Sequence, residues 1–135
     1  MSLFGIGIDL IRIERFDAAI ARHGDRFAQR ILMPQELAGY ADRRFKARYL
    51  AMRFAGKEAV AKALGTGFAH GIWVRDIGIV HNTRGKPNVI FSERGLGVCA
   101  ELGVGVCHVS LSDEAGIAMA YAIAERAGEG ASPTR

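Results

Sequence analysis

The chain has 135 residues, of which 50% are hydrophobic and 24% charged, which is the composition of one globular domain with a core of its own. Its net charge of +4 is too modest for a nucleic-acid tail but favours acidic or phosphorylated partners. The start lacks the basic and apolar regions of a signal peptide, and the apolar run at 115–124 is too short to cross a bilayer. We therefore expect a cytoplasmic protein, in which Cys99 and Cys107 are buried free thiols rather than a zinc or redox site.

The first elements are predicted to be a strand and a helix. The apolar run LFGIGID stops at an acid, which predicts a short strand with Asp9 at its end. Apolar residues then recur at helical spacing from Leu10 to His23, and Gly24 is expected to end this helix. A basic stripe lies beside its apolar face and contains Arg12, Arg15 and Arg22.

The middle of the chain is predicted to be helical. Pro34 is expected to begin a short helix. A segment rich in Ala, Leu, Lys and Arg predicts a long helix from Lys46 to Leu64, stopped by Gly65 and Gly67. Gly56 lowers the helix propensity of this segment, so we expect that a close contact requires it.

The second half is predicted to be mainly strands. Residues 76–81 and 88–91 are expected to form a hairpin through the turn NTRGKP, and Ser92 is expected to cap a helix from Glu93 to Leu102. Two further strands, VCHVSLSD and GIAMAYAIAE, are predicted to join near Asp113 to Ala115. These elements predict an α+β fold, in which an antiparallel sheet packs against the long central helix. One domain is expected over 1–126, and the small, polar segment 127–135 is predicted to be a disordered tail.

Two acidic residues are candidates for a metal site, and each has a simpler explanation. Glu58 shares a helix face with Ala51, Phe54 and Lys62, so its carboxylate must be paired, protonated or bound to a cation. An ion pair with Lys62, four residues on, is the simplest choice. Asp9 could cap the helix that follows it. If the two acids meet, they suit Mg²⁺, which takes one or two carboxylates together with water and phosphate oxygens.

Several motifs resemble those of the holo-acyl-carrier-protein synthases. GIGID, with Asp9, and FAGKEAVAKA, with Glu58, resemble the two motifs that supply the magnesium ligands in that family. The resemblance continues in family order through ALGTG, RGKP and HVSLS, and it covers nearly the whole chain except the tail. Gly56 departs from the family, where alanine or another small residue is common, but this departure touches neither proposed ligand.

The resemblance implies a single-domain subunit of the 4′-phosphopantetheinyl transferase fold that acts in fatty acid biosynthesis. It implies that a serine of acyl carrier protein attacks the coenzyme A phosphorus that bears pantetheine, and that adenosine 3′,5′-bisphosphate leaves. Magnesium on Asp9 and Glu58 would bridge the pyrophosphate, and Lys62 would add a second cation. Either Glu58 or a metal-bound water could accept the serine proton.

The resemblance also implies a coenzyme A pocket and a carrier-protein surface. The residues that match the pocket of the family are Arg53, Lys62, Gly65, His108 and Ser110, with Arg44 and Lys86 as weaker phosphate candidates. The family is typically a homotrimer, so Asp9 and Glu58 of one chain are expected to face Arg53 and His108 of a neighbour. Arg15 and Arg22 resemble the helix that docks the acidic carrier protein.

A noncatalytic nucleotide-binding or nucleic-acid-binding module is the competing hypothesis, because the chain is basic and has glycine-rich turns. Such a module has no need of a carboxylate beside Lys62, and the sequence does not interleave aromatic with basic residues. A metal-dependent enzyme therefore explains more of the pattern, and neither a nucleic acid nor a membrane is expected as a partner.

Overall fold

The computed structural model describes residues 2–128, which contain five α-helices, a short 3₁₀ helix at Val74–Asp76 and five strands. The helices are α1 (Glu14–His23), α2 (Asp25–Ile31), α3 (Pro34–Tyr40), α4 (Lys46–Leu64) and α5 (Glu93–Leu102). The strands are β1 (Leu3–Arg12), β2 (Ile77–His81), β3 (Pro87–Phe91), β4 (Val104–Glu114) and β5 (Ile117–Arg126).

The strands form two antiparallel sheets rather than one. The larger sheet has the order β1-β5-β4, and β2 and β3 form a separate hairpin. The long central helix α4 packs against both, so the predicted α+β architecture is confirmed and the sheet is divided in two. No helix within residues 2–128 combines the length and the apolar character needed to span a bilayer.

Small side chains let α4 lie close to the larger sheet. Every second residue of β5 is a buried alanine on the face that meets the helix, at positions 118, 120, 122 and 124. Gly56 of α4 approaches the hairpin, where a Cβ would lie 2.9 Å from Ile79 Cγ1. The close contact predicted for Gly56 is therefore confirmed.

Several predicted boundaries are confirmed. The helix α4 has the predicted limits, and Gly65 ends it in the left-handed conformation with φ of 78°. Pro34 opens α3, and the hydroxyl of Ser92 accepts a hydrogen bond from the Gly95 amide at 3.0 Å, which caps α5.

The predicted start of the first helix is wrong. The strand β1 continues to Arg12, and α1 begins at Glu14, so Asp9 lies inside a strand and does not cap a helix. The apolar alternation of Ile6, Ile8 and Leu10 extends the strand period of two residues, and this stretch pairs with β5 throughout. The basic stripe therefore loses Arg12, while Arg15 and Arg22 remain on α1.

The smaller predictions have different outcomes. The helix α2 was not foreseen. Asp113 lies within β4, because the turn to β5 is made by Ala115 and Gly116, both with positive φ.

Cys99 and Cys107 are buried free thiols, as expected, and burial raises the pKa of Cys107 to about 12. The predicted tail at 127–135 lies outside the described residues from position 129 onward, and the domain limits remain a prediction.

Candidate active site

The glycines of β1 bring this strand into direct contact with the backbone of α4. A Cβ on Gly7 would lie 1.9 Å from the carbonyl oxygen of Ala59, and a Cβ on Gly5 would lie 2.1 Å from that of Ala63. No side chain fits in this space, which explains why glycine occupies both positions. Because side chains of a strand alternate between its faces, Asp9 points toward the same helix as Gly7.

The close approach places Asp9 beside Lys62 and Glu58 of α4. The ammonium group of Lys62 donates to the Ile8 carbonyl at 2.9 Å and lies 3.4 Å from Asp9 Oδ1. Glu58 was the expected partner of Lys62. Within the described residues, the carboxylate that forms an ion pair with Lys62 is instead that of Asp9 on β1. The three residues proposed for catalysis thus meet at one place between β1 and α4.

The electrostatics of Glu58 reflect this crowding. Burial raises the pKa of Glu58, the neighbouring carboxylate of Asp9 raises it further, and Lys62 partly offsets both effects. Two half-buried carboxylates are therefore close enough to repel each other. A cation between them would relieve that repulsion.

The carboxylate pair suits magnesium better than zinc. Across residues 2–128, no group of three or more His, Cys, Asp or Glu side chains is placed to hold a metal ion. Structural and catalytic zinc sites use three or four protein ligands, whereas Mg²⁺ is commonly bound by one or two carboxylates and completes its shell with water and phosphate oxygens. Asp9 and Glu58 together provide that smaller set.

A second part of the site surrounds Arg53. This arginine is buried, its guanidinium lies 3.8 Å from the centre of the Tyr49 ring, and its Nη2 lies 2.8 Å from Nδ1 of His81. Because arginine can only donate, His81 Nδ1 is the acceptor, and burial followed by the charge of Arg53 lowers the pKa of His81. The Nε of Arg53 has no hydrogen-bond partner among the described residues.

A basic cavity of about 360 Å³ opens at Arg53. Arg43 and Arg48 supply two further guanidinium groups, of which that of Arg48 also donates to the Asp113 carboxylate from Nε at 2.9 Å and from Nη2 at 2.8 Å. The turn after β2 supplies small polar side chains. The residues that define its chemistry are Arg43, Arg48, Arg53, His81, Asn82 and Thr83. This concentration of donors suits a phosphate group.

His108 and Ser110 lie on the opposite face of the larger sheet. They are exposed on β4 and alternate with Cys107 and Val109, which lie on the face toward α4. The Nε2 of His108 is 3.3 Å from a carboxylate oxygen of Glu125 on β5. The sheet therefore separates these two predicted pocket residues from the carboxylate pair of the same chain.

That outer face is also apolar. Its large side chains are between 38% and 63% exposed and come from two neighbouring strands: Ile6, Ile8, Leu10, Met119 and Tyr121. Exposed apolar surface of this extent, on paired strands, is typical of a surface that another protein covers.

The remaining predicted residues lie on helix surfaces and turns. Gly65 ends α4 directly after the Lys62 turn, and its amide donates to the Lys62 carbonyl at 3.0 Å. Arg15 and Arg22, seven residues apart, are exposed on α1. Arg44 stacks on the exposed ring of Phe45, and Lys86 is exposed in the hairpin turn.

Sequence reasoning missed some residues of this region. His81 and Tyr49 had no motif that connected them to Arg53, and they meet it only because the hairpin folds against α4. Lys57 belongs to the motif FAGKEAVAKA, but no sequence signal gives it a role, and only the structure shows that it is fully buried and therefore needs a partner for its charge.

Comparison with known proteins identifies consistent relatives. The family model described as the 4′-phosphopantetheinyl transferase superfamily matches residues 5–122. The holo-[acyl-carrier-protein] synthase of Halorhodospira halophila is 46% identical over 119 residues, which are 88% of this chain and 94% of the relative. That of Photobacterium profundum is 46% identical over 125 residues, which are 93% of this chain and 99% of the relative.

Solved structures agree with these relatives. The crystal structure of holo-[acyl-carrier-protein] synthase from Neisseria meningitidis has a TM-score of 0.87 at 37% identity, covering 92% of this chain and 99% of that one. The Helicobacter pylori synthase, solved in complex with coenzyme A, has a TM-score of 0.78 at 29% identity and covers 89% of this chain and 99% of that one.

Proposed function

The chain belongs to the 4′-phosphopantetheinyl transferase superfamily, and from that premise we propose that it transfers 4′-phosphopantetheine from coenzyme A to a serine of apo-acyl carrier protein. The observation that carries this proposal is the meeting of Asp9 on β1 with Glu58 and Lys62 on α4, a helix that also presents Arg53 to a basic cavity. The relatives named above support the choice of substrates, and so does the coenzyme A in the Helicobacter pylori complex. We place the reaction in fatty acid biosynthesis, in the cytoplasm.

The reaction is a phosphoryl transfer. The serine oxygen forms a bond to the phosphorus that bears pantetheine, the bond from that phosphorus to the bridging oxygen breaks, and adenosine 3′,5′-bisphosphate leaves. Such reactions depend mainly on positioning and on neutralising charge that moves to the leaving group. The chain supplies Lys62 for that charge, with its ammonium group held toward β1.

Asp9 and Glu58 are the residues that would hold Mg²⁺ in this enzyme. The bound ion would supply charge neutralisation at the pyrophosphate. A carboxylate can also accept a proton, so Glu58 is one candidate to take the serine proton and a metal-bound water is the other.

The basic cavity supports binding of the phosphates of coenzyme A. Arg53 is held by Tyr49 and His81, so its guanidinium is already ordered before a ligand arrives. An ordered guanidinium loses little conformational freedom when it binds a phosphate.

The two faces of the larger sheet support a composite site in a homotrimer. Asp9 and Glu58 lie toward α4, while His108 and Ser110 lie on the other face among exposed apolar side chains. A second copy that covers this apolar face would bring its own Asp9 and Glu58 toward the His108 of the first copy. The number of three chains follows from the family resemblance.

The surface of α1 supports docking of an acidic carrier. Arg15→Glu and Arg22→Glu are each expected to lower kcat/KM for the carrier by about tenfold, because exposed charges govern encounter with an oppositely charged partner. Binding of coenzyme A, measured by calorimetry, should stay unchanged, and added salt should reduce the difference between parent and variants.

Arg75→Glu is the matched control, because Arg75 is exposed but lies outside α1. It should leave carrier use near the parent value. An equal loss for Arg75→Glu would show that only net charge matters, and an equal loss of coenzyme A binding in the α1 variants would place α1 in the nucleotide pocket.

The direct test of the proposed function is an incubation of the chain with apo-carrier, coenzyme A and Mg²⁺. The mass of the carrier should rise by that of phosphopantetheine, and adenosine 3′,5′-bisphosphate should appear in equal amount. A noncatalytic nucleotide-binding module would bind coenzyme A, leave the mass of the carrier unchanged and release no adenosine 3′,5′-bisphosphate.

A further inference from the structure

A second charged pair lies on another side of α4. Lys57 and Glu36 form an ion pair between α4 and α3, and both residues are buried. Burying two charges is unfavourable unless their remaining donors and acceptors are all satisfied. The pair therefore needs an explanation beyond the mutual attraction of its charges.

The contacts of this pair extend to the β2–β3 hairpin. Glu36 Oε1 accepts from the Met33 amide and Glu36 Oε2 accepts from the Ile79 amide, both at 2.9 Å. The ammonium group of Lys57 donates to the Ile77 carbonyl as well as to Glu36. The pair thus binds the outer edge of β2, at the position where a further strand would pair.

The Lys57–Glu36 ion pair lies next to the acid pair of Asp9 and Glu58, because Lys57 directly precedes Glu58 in α4. Consecutive residues of an α-helix point about 100° apart, so Glu58 faces β1 while Lys57 faces α3 and β2. The strand β2 ends at His81, which contacts Arg53, and the residues that follow line the basic cavity. The shape of that cavity therefore depends on how β2 is held against α4.

Stability alone does not account for the pair. Well-packed apolar residues of similar volume are often equally stabilising or more so in place of a buried ion pair. An apolar pair would leave the Ile79 amide and the Ile77 carbonyl without these partners, and β2 could then shift along α4. The specific result of the ion pair is a fixed register between hairpin and helix.

Resting on the proposed function, we propose that Lys57 and Glu36 are positioning residues that fix the β2–β3 hairpin against α4 and so set the affinity for coenzyme A. They act through the basic cavity, without touching the reacting atoms.

The test is the double variant Lys57→Met/Glu36→Gln, which removes both charges at nearly constant volume. We expect the Kd for coenzyme A, measured by calorimetry, to rise at least about tenfold, as for other losses of supporting interactions. The kcat at saturating coenzyme A should stay within about threefold of the parent value, because the acid pair is untouched. Amide hydrogen exchange should accelerate in β2 and β3 more than in β1.

Val60→Ala is the matched control. Val60 is fully buried in α4 one turn from Lys57, so its truncation should lower the melting temperature without removing a polar contact to the hairpin. It should leave the Kd for coenzyme A unchanged. A double variant that binds coenzyme A as tightly as Val60→Ala would overturn the positioning role.

If the double variant does not melt cooperatively, Glu36→Asp provides a milder change. It keeps both charges and shortens the reach to the Ile79 amide by one methylene group, so it should raise the Kd in the same direction by a smaller factor. An unchanged Kd would overturn the inference. If the unaltered chain does not transfer phosphopantetheine at all, the failure is instead that of the proposed function.

Discussion

Asp9→Ala and Glu58→Ala are each expected to lower kcat for phosphopantetheine transfer by about 1000-fold, corresponding to several kcal/mol of lost charge stabilisation. The structure places both carboxylates on one side of α4, where burial and then the charge of Asp9 raise the pKa of Glu58. With only one carboxylate left, this pocket would hold a divalent cation poorly. The same loss is expected when a chelator removes divalent cations from the parent protein.

Folding can be separated from activity with isosteric variants. Glu58→Gln removes a half-buried charge beside Asp9, so its melting temperature should equal or exceed that of the parent while its activity is lost. Glu101→Ala is the control, because Glu101 is an exposed acid on α5. Full activity in excess chelator, or in either alanine variant, would contradict the metal assignment.

Mixing two inactive proteins should restore activity if the site is shared between chains. Glu58→Ala lacks one half of the site and His108→Ala lacks the other, and the larger sheet separates the two halves within a chain. After random exchange of equal amounts in a cyclic oligomer, about one quarter of the sites would combine both intact halves. Activity should therefore return to about one quarter of the parent value, measured by the mass of the carrier after exchange.

A mixture of Glu58→Ala with Asp9→Ala is the matched control for this experiment. Both residues belong to the same half of the site, so exchange cannot place an intact acid pair on one chain. This mixture should stay inactive. Equal recovery in both mixtures, or a fully active monomer in sedimentation, would contradict the composite site.

The long helix was predictable because its signals are local. Alanine, leucine, lysine and arginine favour a helix along the segment from Lys46 to Leu64 in spite of Gly56, and Gly65 ends it through a conformation that glycine adopts readily. The start of α1 was not predictable in the same way. Around Leu10 the apolar residues fit both the spacing of a helix and the two-residue alternation of a strand. Only the pairing of β1 with β5 selects the strand.

The candidate site was predictable only in part, because its contacts connect distant segments. The family motifs identified Asp9 and Glu58, but the reason that they meet is the backbone contact at Gly7, which spacing along the chain does not reveal. The pairing of Glu36 with Lys57 joins residues 21 positions apart, and each alone resembles an ordinary solvated charge. Long-range pairing of this kind is a property of the folded chain.

The alternation of β1 has a consequence for how this chain can vary in length. Gly7 and Asp9 face α4, while Ile8 and Leu10 face the surface that we propose another copy covers. An insertion or deletion of one residue within the strand would exchange the two sets, turning the acid outward and a bulky apolar side chain toward the helix backbone. Catalysis and assembly would then fail together, so this strand can accept a changed side chain far more readily than a changed number of residues.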